Sequence, residues 1–309
     1  MKRMAEAVLT VKNLNKSFGR KQVLHKISFS CQSGRIVGLV GANGAGKTTI
    51  MKAVLSLTSS TGEVTIDGQK STFDHHPVLD EVGALIEYPS IYPFMTGRDH
   101  LKLFAIGRNK ASEIDDVITA LNMGNYIDTK ARSYSLGMKQ KLGVAMAFLN
   151  NPKFVILDEP MNGLDPQATK ELRDLIIAKR DEGVGFLISS HILSELQKLA
   201  EDLIIIDHGK IVQETTMDAL LKSNNHFVTV TTTDDVKAKQ VLADAGYKLV
   251  GDEEVKIQTS SDDDVANILK TLNDNQLPVT DVQHEDEDLE GSVLKLLDPE
   301  DQEQGEKSC

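Results

Sequence analysis

Cysteine and tryptophan are nearly absent from this chain of 309 residues, which has two cysteines, Cys31 and Cys309, and no tryptophan. Two cysteines are too few for a disulfide framework, and such low usage is typical of a reducing cytosol. The sequence has no apolar run near the roughly 20 residues that a membrane-spanning helix needs. Its N-terminal segment also lacks the apolar stretch of a secretion signal. These features predict a cytoplasmic protein.

The chain also lacks an excess of positive charge, since 34 lysines and arginines stand against 46 acidic residues and the net charge is −12. Residues 281–309 hold eleven acidic residues and two lysines, which leaves 35 acidic and 32 basic residues elsewhere. A nucleic-acid surface requires a basic stripe, and the sequence shows none, so we predict no nucleic-acid partner. The local excess of acid predicts a solvated C-terminal tail that is disordered over residues 298–309.

Short apolar segments alternate with helical patterns from residue 7 to about 220, which predicts an α/β core. Four of these segments are β-branched and apolar on both faces, as buried central strands are: 35–40, 154–158, 185–189 and 203–207. Between about residues 90 and 150 the strand-like runs give way to helical spacing. The pattern predicts a mainly parallel sheet, interrupted by a helical insertion, in a domain of residues 1–222.

The pattern of predicted strands and helices changes after residue 222. Residues 223–297 read as a small α+β unit in the order β-α-β-α-β, and they carry no cluster of catalytic residue types. We therefore predict an accessory domain that regulates the protein or supports a dimer, rather than a second active site.

The segment GANGAGKT, residues 41–48, fits the phosphate-loop pattern G-x-x-x-x-G-K-[ST] between an apolar strand and a helical run. Its glycines let backbone N–H groups point at phosphates, Lys47 brings positive charge to the β and γ phosphates, and Thr48 offers a hydroxyl to Mg²⁺. This segment predicts a P-loop NTPase core. The predicted nucleotide-binding residues here are Gly41, Asn43, Gly44, Ala45, Gly46, Lys47, Thr48 and Thr49.

Two acids end the apolar segment FVILDEP, residues 154–160. Charged side chains are costly inside a sheet, so Asp158 and Glu159 are expected at its C-terminal edge, where ligands of open α/β sheets bind. We predict that Asp158 holds Mg²⁺ and that Glu159 orients the water that attacks the γ-phosphate. Without the phosphate loop, the same acids would read as ordinary surface residues at a strand end.

A histidine follows another apolar strand in ISSHI, residues 188–192. His191 is predicted to contact the γ-phosphate. The alternative is a capping or surface histidine.

The segment SYSLGMKQKLG, residues 133–143, begins a helix with serine and glycine but carries no nucleophile, acid or metal ligand. The first N–H groups of a helix have no intrahelical partner, and the helix dipole favours an anion there. The pattern therefore predicts an anion contact that supplies no chemistry of its own.

The order and spacing of these motifs, together with NGLDP at residues 162–166, resemble those of ATP-binding cassette (ABC) ATPases over residues 7–220. In that family two chains enclose each ATP. The resemblance therefore implies that Ser135 and Gly137 face the γ-phosphate bound by a second cassette, which is expected to be a second copy of this chain. It also implies that Asp165 lies close to the same interface. It also implies ATP and Mg²⁺ as cofactors, a separate membrane permease as partner, and a place on the inner face of the cell membrane.

Two positions refine the resemblance. Glu87 stands where most ABC ATPases have a glutamine that reaches the metal and senses the permease, so it is predicted as an oxygen ligand for Mg²⁺. With its neighbours it resembles the ATPases of bacitracin-export and lantibiotic-immunity transporters. A generic drug-type exporter is the alternative. Phe18 matches the aromatic residue that stacks on adenine, although a core aromatic would look the same.

Two other classes stay open at this point. One is a soluble ABC protein acting on ribosomes or DNA, although the sequence lacks the second cassette or long coiled coil typical of those proteins. The other is a P-loop kinase, which the serine–glycine segment and Glu159 disfavour. The transported molecule is chosen by the permease, so this sequence does not predict it.

Overall fold

The computed structural model describes residues 7–107, 110–223, 226–251, 254–259, 262–286, 291 and 293. The chain divides into two compact units, residues 1–217 and 218–309. The tail predicted to be disordered, residues 298–309, lies outside the described residues. Among the described helices, none is both long enough and apolar enough to cross a bilayer.

The first unit is built from two sheets. Its strands are β1 (Ala7–Phe18), β2 (Lys21–Gln32), β3 (Ile36–Val40), β4 (Thr61–Ile66), β5 (Gln69–Ser71), β6 (Val82–Leu85), β7 (Phe154–Asp158), β8 (Gly185–Ser189), β9 (Asp202–Asp207) and β10 (Lys210–Thr216). The larger sheet has the order β10-β9-β3-β8-β7-β6, and only the β10–β9 pair is antiparallel. The predicted mainly parallel sheet is confirmed, and the four predicted strands are β3, β7, β8 and β9.

The smaller sheet, β2-β1-β4-β5, is antiparallel throughout. Helix α1 (Lys47–Val54) follows β3 and contacts β7 of the larger sheet as well as β1 and β2 of the smaller one. Its buried residues include Ile50, Met51 and Val54, which join one hydrophobic core with both sheets. This packing fixes α1, and therefore the loop that precedes it, against the centre of the unit.

Helices replace strands between β6 and β7. These helices are α2 (Gly97–Phe104), α3 (Lys110–Ala120) and α4 (Leu136–Ala147). Helix α2 contacts both α3 and α4, and α4 packs on β6. The first unit continues with α5 (Pro166–Asp181) and α6 (Leu193–Gln197), and α7 (Met217–Ser223) begins at its last residue.

The second unit has the predicted alternation of strands and helices. Its elements are β11 (His226–Thr232), α8 (Asp235–Asp244), β12 (Val255–Thr259), α9 (Asp262–Asp274) and β13 (Val279–Asp286). The sheet order is β12-β11-β13, and both pairs are antiparallel. Both strands and helices contribute to its core, since Val228 and Ile257 lie beside Leu242 and Leu272. The unit therefore has its own hydrophobic core.

Candidate functional site

The loop between β3 and α1 is shaped by its glycines. A Cβ atom on Gly41 would lie 2.3 Å from the carbonyl oxygen of Ile206, so the backbone passes too close to β9 for any larger residue. Gly44 and Gly46 have φ angles of +85° and +115°, which side chains other than glycine rarely adopt. Gly46 is also the N-cap of α1, so the free N–H groups of the helix start border the loop.

An open pocket of about 190 Å³ lies at this loop and meets the end of β7. Its lining residues are Ala42, Asn43, Gly44, Gly46, Lys47, Thr48, Thr49, Asp158 and Glu159. The sheet therefore brings the predicted phosphate loop and both predicted acids into one cavity. The other predicted site residues are outside this lining: Phe18, Gly41, Ala45, Glu87, Ser135, Gly137 and His191.

Lys47 is the cation of the pocket, and its side chain is only 7% exposed. Its Nζ donates to the carbonyl oxygen of Gly41 at 2.6 Å and lies 3.9 Å from Oε1 of Glu159. A buried ammonium group beside backbone N–H donors is suited to phosphate oxygens, because the ammonium carries a full and the N–H groups a partial positive charge.

Asp158 is held by two hydroxyl groups. Thr48 Oγ1 donates to its Oδ2 at 2.6 Å, and Ser189 Oγ donates to its Oδ1 at 2.5 Å. The residue is 3% exposed. A carboxylate and a threonine hydroxyl are hard oxygen donors, and Mg²⁺ prefers such donors together with phosphate oxygens and water. The donor set at Thr48 and Asp158 therefore fits Mg²⁺ bound with a nucleotide.

Glu159 has a left-handed backbone, with φ of +49°. Such a conformation costs about 1–3 kcal/mol in a residue other than glycine, so its surroundings must enforce it. Ser189 Oγ accepts its N–H at 3.0 Å, and Gln140 Nε2 donates to the carbonyl oxygens of Glu159 and Pro160 at 3.4 and 3.2 Å. Both ends of the residue are therefore fixed by neighbouring elements.

The carboxylate of Glu159 has a further partner in His191. His191 Nδ1 donates to Oε2 at 2.7 Å, and the His191 backbone N–H donates to the same oxygen at 3.3 Å. The imidazole is 45% exposed, so it borders solvent at the rim of the site. His191 therefore contacts the acid predicted to act on water, and its own contact with a γ-phosphate stays a prediction.

Ser135 is the N-cap of α4, as its sequence context predicted. Its Oγ accepts the N–H of Met138 at 3.2 Å, and the residue is exposed. A Cβ atom on Gly137 would lie 2.9 Å from the carbonyl oxygen of Gly163, so the helix start packs closely on the NGLDP segment. Asp165 of that segment is also exposed and is the N-cap of α5. The two helix starts share one surface outside the chain's own nucleotide pocket.

Phe18 and Glu87 both lie at the surface. Phe18 is 55% exposed, so it is not a core aromatic, and Lys16 Nζ lies 4.6 Å from the centre of its ring. Glu87 has a left-handed backbone and forms an ion pair with Lys52 Nζ at 2.7 Å. Adenine stacking by Phe18 and metal binding by Glu87 stay predictions.

Three residues that contact the predicted site residues were not predicted from the sequence: Ser189, Gln140 and Lys52. Ser189 had one local signal, since it is a polar residue at the end of an otherwise apolar strand. Gln140 and Lys52 look like ordinary polar residues of helices. Their partners are 19 to 35 positions away in the chain, so only the fold reveals them.

Comparison with known proteins agrees with this geometry. The ABC transporter family profile matches residues 24–162. The bacitracin transport ATP-binding protein BcrA of Enterococcus faecalis is 33% identical over 300 residues, which cover 94% of this chain and 97% of that protein. The lantibiotic transport ATP-binding protein SrtF of Streptococcus pyogenes is 39% identical over 215 residues, or 68% of this chain and 92% of that protein.

A solved structure described as the ATP-binding subunit of an ABC transporter superposes with a TM-score of 0.63 at 28% identity. It covers 69% of this chain and 91% of that chain. The phosphate loop, the paired acids at the sheet edge and the similarity to BcrA over nearly the full length of the chain all indicate the same family. The chain therefore belongs to the ATP-binding subunits of ABC transporters and is an enzyme that binds and hydrolyses ATP.

Proposed function

We propose that this subunit powers the export of a peptide antibiotic of the bacitracin or lantibiotic kind, by closing on ATP as a dimer and driving a separate membrane permease. The observation that carries the proposal is the division of the site: the pocket holds the phosphate loop and the acids, but Ser135 and Gly137 do not line it. The cargo class is supported by the relatives BcrA and SrtF, which are named for bacitracin and lantibiotic transport.

Hydrolysis would use the residues of the pocket in separate roles. The phosphate loop and Lys47 bind the phosphates and offset their charge. Thr48 and Asp158 would hold Mg²⁺, which neutralises charge on the β and γ phosphates when bound. Glu159 orients the attacking water and accepts its proton, and His191 keeps the carboxylate in place beside the γ-phosphate.

A single chain encloses only one side of the nucleotide, and the second chain of the dimer would supply the other side. Ser135 is exposed at the N-terminus of α4, where the helix dipole and the first N–H groups, which have no intrahelical acceptor, favour an anion. In a head-to-tail pair this turn would face the γ-phosphate on the second copy. ATP then joins the two chains, and its hydrolysis lets them separate.

The permease would dock in a groove that runs from β6 to α4. The groove has a volume of about 630 Å³, and its walls include Tyr88, Pro89, Phe104 and Ile106. Tyr88 is 80% exposed and Ile106 is 65% exposed, so the rim presents apolar surface to a partner. Because Glu87 directly precedes this rim, motion at the nucleotide could reach the groove through the same segment.

Membrane fractionation tests the proposal. Cells would express this chain alone or together with a candidate permease from a neighbouring gene, and both strains would be scored for bacitracin and lantibiotic susceptibility. We expect the chain to move to the membrane fraction only with the permease and to raise resistance only when ATP is hydrolysed. Glu159→Gln is the matched control, because it should reach the membrane without conferring resistance. A chain that stays in the cytosol with its permease present contradicts the proposal.

We expect Glu87→Gln to affect coupling more than chemistry. Glu87 is exposed and Lys52 is partly exposed, so loss of their ion pair should change the free energy of unfolding by less than about 1 kcal/mol. ATP hydrolysis by the isolated subunit should change less than threefold, on the scale of such an exposed pair, whereas permease-dependent resistance should fall clearly.

Lys52→Gln separates the two possible uses of Glu87, since it breaks the ion pair but keeps the carboxylate. If the pair itself matters, both variants lose resistance; if the carboxylate matters alone, only Glu87→Gln does. Unchanged resistance in Glu87→Gln would remove the coupling role.

A further inference from the structure

Ser189 joins the two acids of the site. It is the last residue of β8, it is 0% exposed, and the strand register places it directly beside Asp158 of β7. Its hydroxyl donates to Asp158 Oδ1 at 2.5 Å and accepts the backbone N–H of Glu159 at 3.0 Å. One buried hydroxyl therefore uses its donor on one acid and an acceptor lone pair on the next.

The bond to Asp158 fixes the plane of that carboxylate. Thr48 donates to Oδ2 and Ser189 donates to Oδ1, so each carboxylate oxygen has its own donor. Both donors are neutral, so the negative charge of Asp158 stays available for a cation. Such partners of metal-binding carboxylates orient them and tune their affinity.

The bond to Glu159 fixes a backbone that other residues avoid. With φ of +49°, Glu159 aims its N–H at Ser189 and its side chain toward the pocket. Without the serine oxygen, this N–H would lose its partner, which favours a different backbone conformation. The angle at which the carboxylate enters the pocket would then change.

We propose that Ser189 is a positioning residue for ATP hydrolysis, which sets Asp158 and Glu159 relative to each other through a single hydroxyl group. This inference rests on the roles proposed above for the two acids. Ser189 touches neither nucleotide nor water in this scheme. It acts only through the acids, so it should affect turnover and metal dependence more than nucleotide binding.

The test compares Ser189→Ala with Ser71→Ala. Ser71 is also a buried serine, 4% exposed, and its hydroxyl is 3.0 Å from that of Ser56, outside the nucleotide pocket. For each purified variant we would measure kcat, KM for MgATP, the melting temperature, and the Mg²⁺ concentration that half-saturates thermal stabilisation by ADP. The last quantity reports on the metal site without turnover.

We expect Ser189→Ala to lower kcat by about 10- to 100-fold and to raise the half-saturating Mg²⁺ concentration by about tenfold. KM should change far less, and Ser189→Thr, which keeps a hydroxyl, should recover most of the turnover. Ser71→Ala should lower only the melting temperature. If Ser189→Ala behaves like Ser71→Ala, with near-normal kcat and Mg²⁺ response, the inference is wrong.

Ser189→Cys and Glu159→Gln are two further variants for the same assays. If Ser189→Ala does not fold, Ser189→Cys replaces it, because the thiol keeps the size but is a weak donor. Folded Ser189→Cys with normal kcat and Mg²⁺ response would equally overturn the inference. Glu159→Gln is assayed alongside: if it turns over normally, the proposed role of Glu159 fails, whereas an inactive Glu159→Gln with a fully active Ser189→Ala rejects the role of Ser189 alone.

Discussion

Glu159→Gln should lower the rate of ATP hydrolysis by about 10²- to 10⁴-fold and leave ATP binding intact, because the amide cannot accept a proton from the attacking water. The substitution keeps the size of the side chain, and the contacts from Ser189 and Gln140 to its backbone do not depend on the carboxylate. The fold of the site should therefore survive. Steady-state phosphate release and binding of a fluorescent ATP analogue measure the two effects separately.

The same variant should accumulate an ATP-bound dimer. In the proposed cycle, two chains that enclose ATP separate only after hydrolysis, so slowing that step shifts the population toward the closed pair. Size-exclusion chromatography with light scattering, run with and without MgATP, detects the dimer. Glu182→Gln is a matched control, since Glu182 is an acid paired with Lys179 outside the nucleotide pocket. Turnover near that of the unmodified chain would exclude Glu159 as the base.

Ser135→Arg should abolish most ATP hydrolysis, by about 10²-fold or more, without weakening ATP binding by one chain. The exposed turn at Ser135 starts α4 and does not line its own nucleotide pocket. An arginine there places bulk and positive charge over the positive end of the helix dipole, which would block contact with a phosphate on the second copy. The monomer's phosphate loop is untouched.

The measurement pairs an ATPase assay with ATP binding at protein concentrations low enough to keep the chain monomeric. Thr119→Arg on the exposed surface of α3 is the control for adding an arginine, and it should retain both properties. A large loss of ATP affinity in monomeric Ser135→Arg would count against a site shared between chains. Mixing Ser135→Arg with Lys47→Ala chains gives a further check, because a mixed pair would rebuild one of its two sites.

The phosphate loop is the feature that the sequence predicted most fully. Its glycines, Lys47 and Thr48 all fall within residues 41–48, so their spacing alone predicts a tight turn before a helix. The central strands were equally readable, since buried parallel strands need apolar residues on both faces, as in Phe154–Asp158. The helix start at Ser135 followed from capping chemistry, which is also local.

Contacts between residues that are far apart in the sequence were determined only by the tertiary structure. The order β3-β8-β7 brings Asp158 beside Ser189, although 31 positions separate them, and the same order places Thr48 of α1 against the other oxygen of Asp158. The left-handed backbone of Glu159 and the pairing of Glu87 with Lys52 likewise had no pattern in the sequence. Local motifs can be predicted from the sequence, because residues that are close along the chain are placed relative to each other by the bonded geometry of the backbone. Hydrogen bonds across a sheet depend on strand order and register, which arise from packing the whole core.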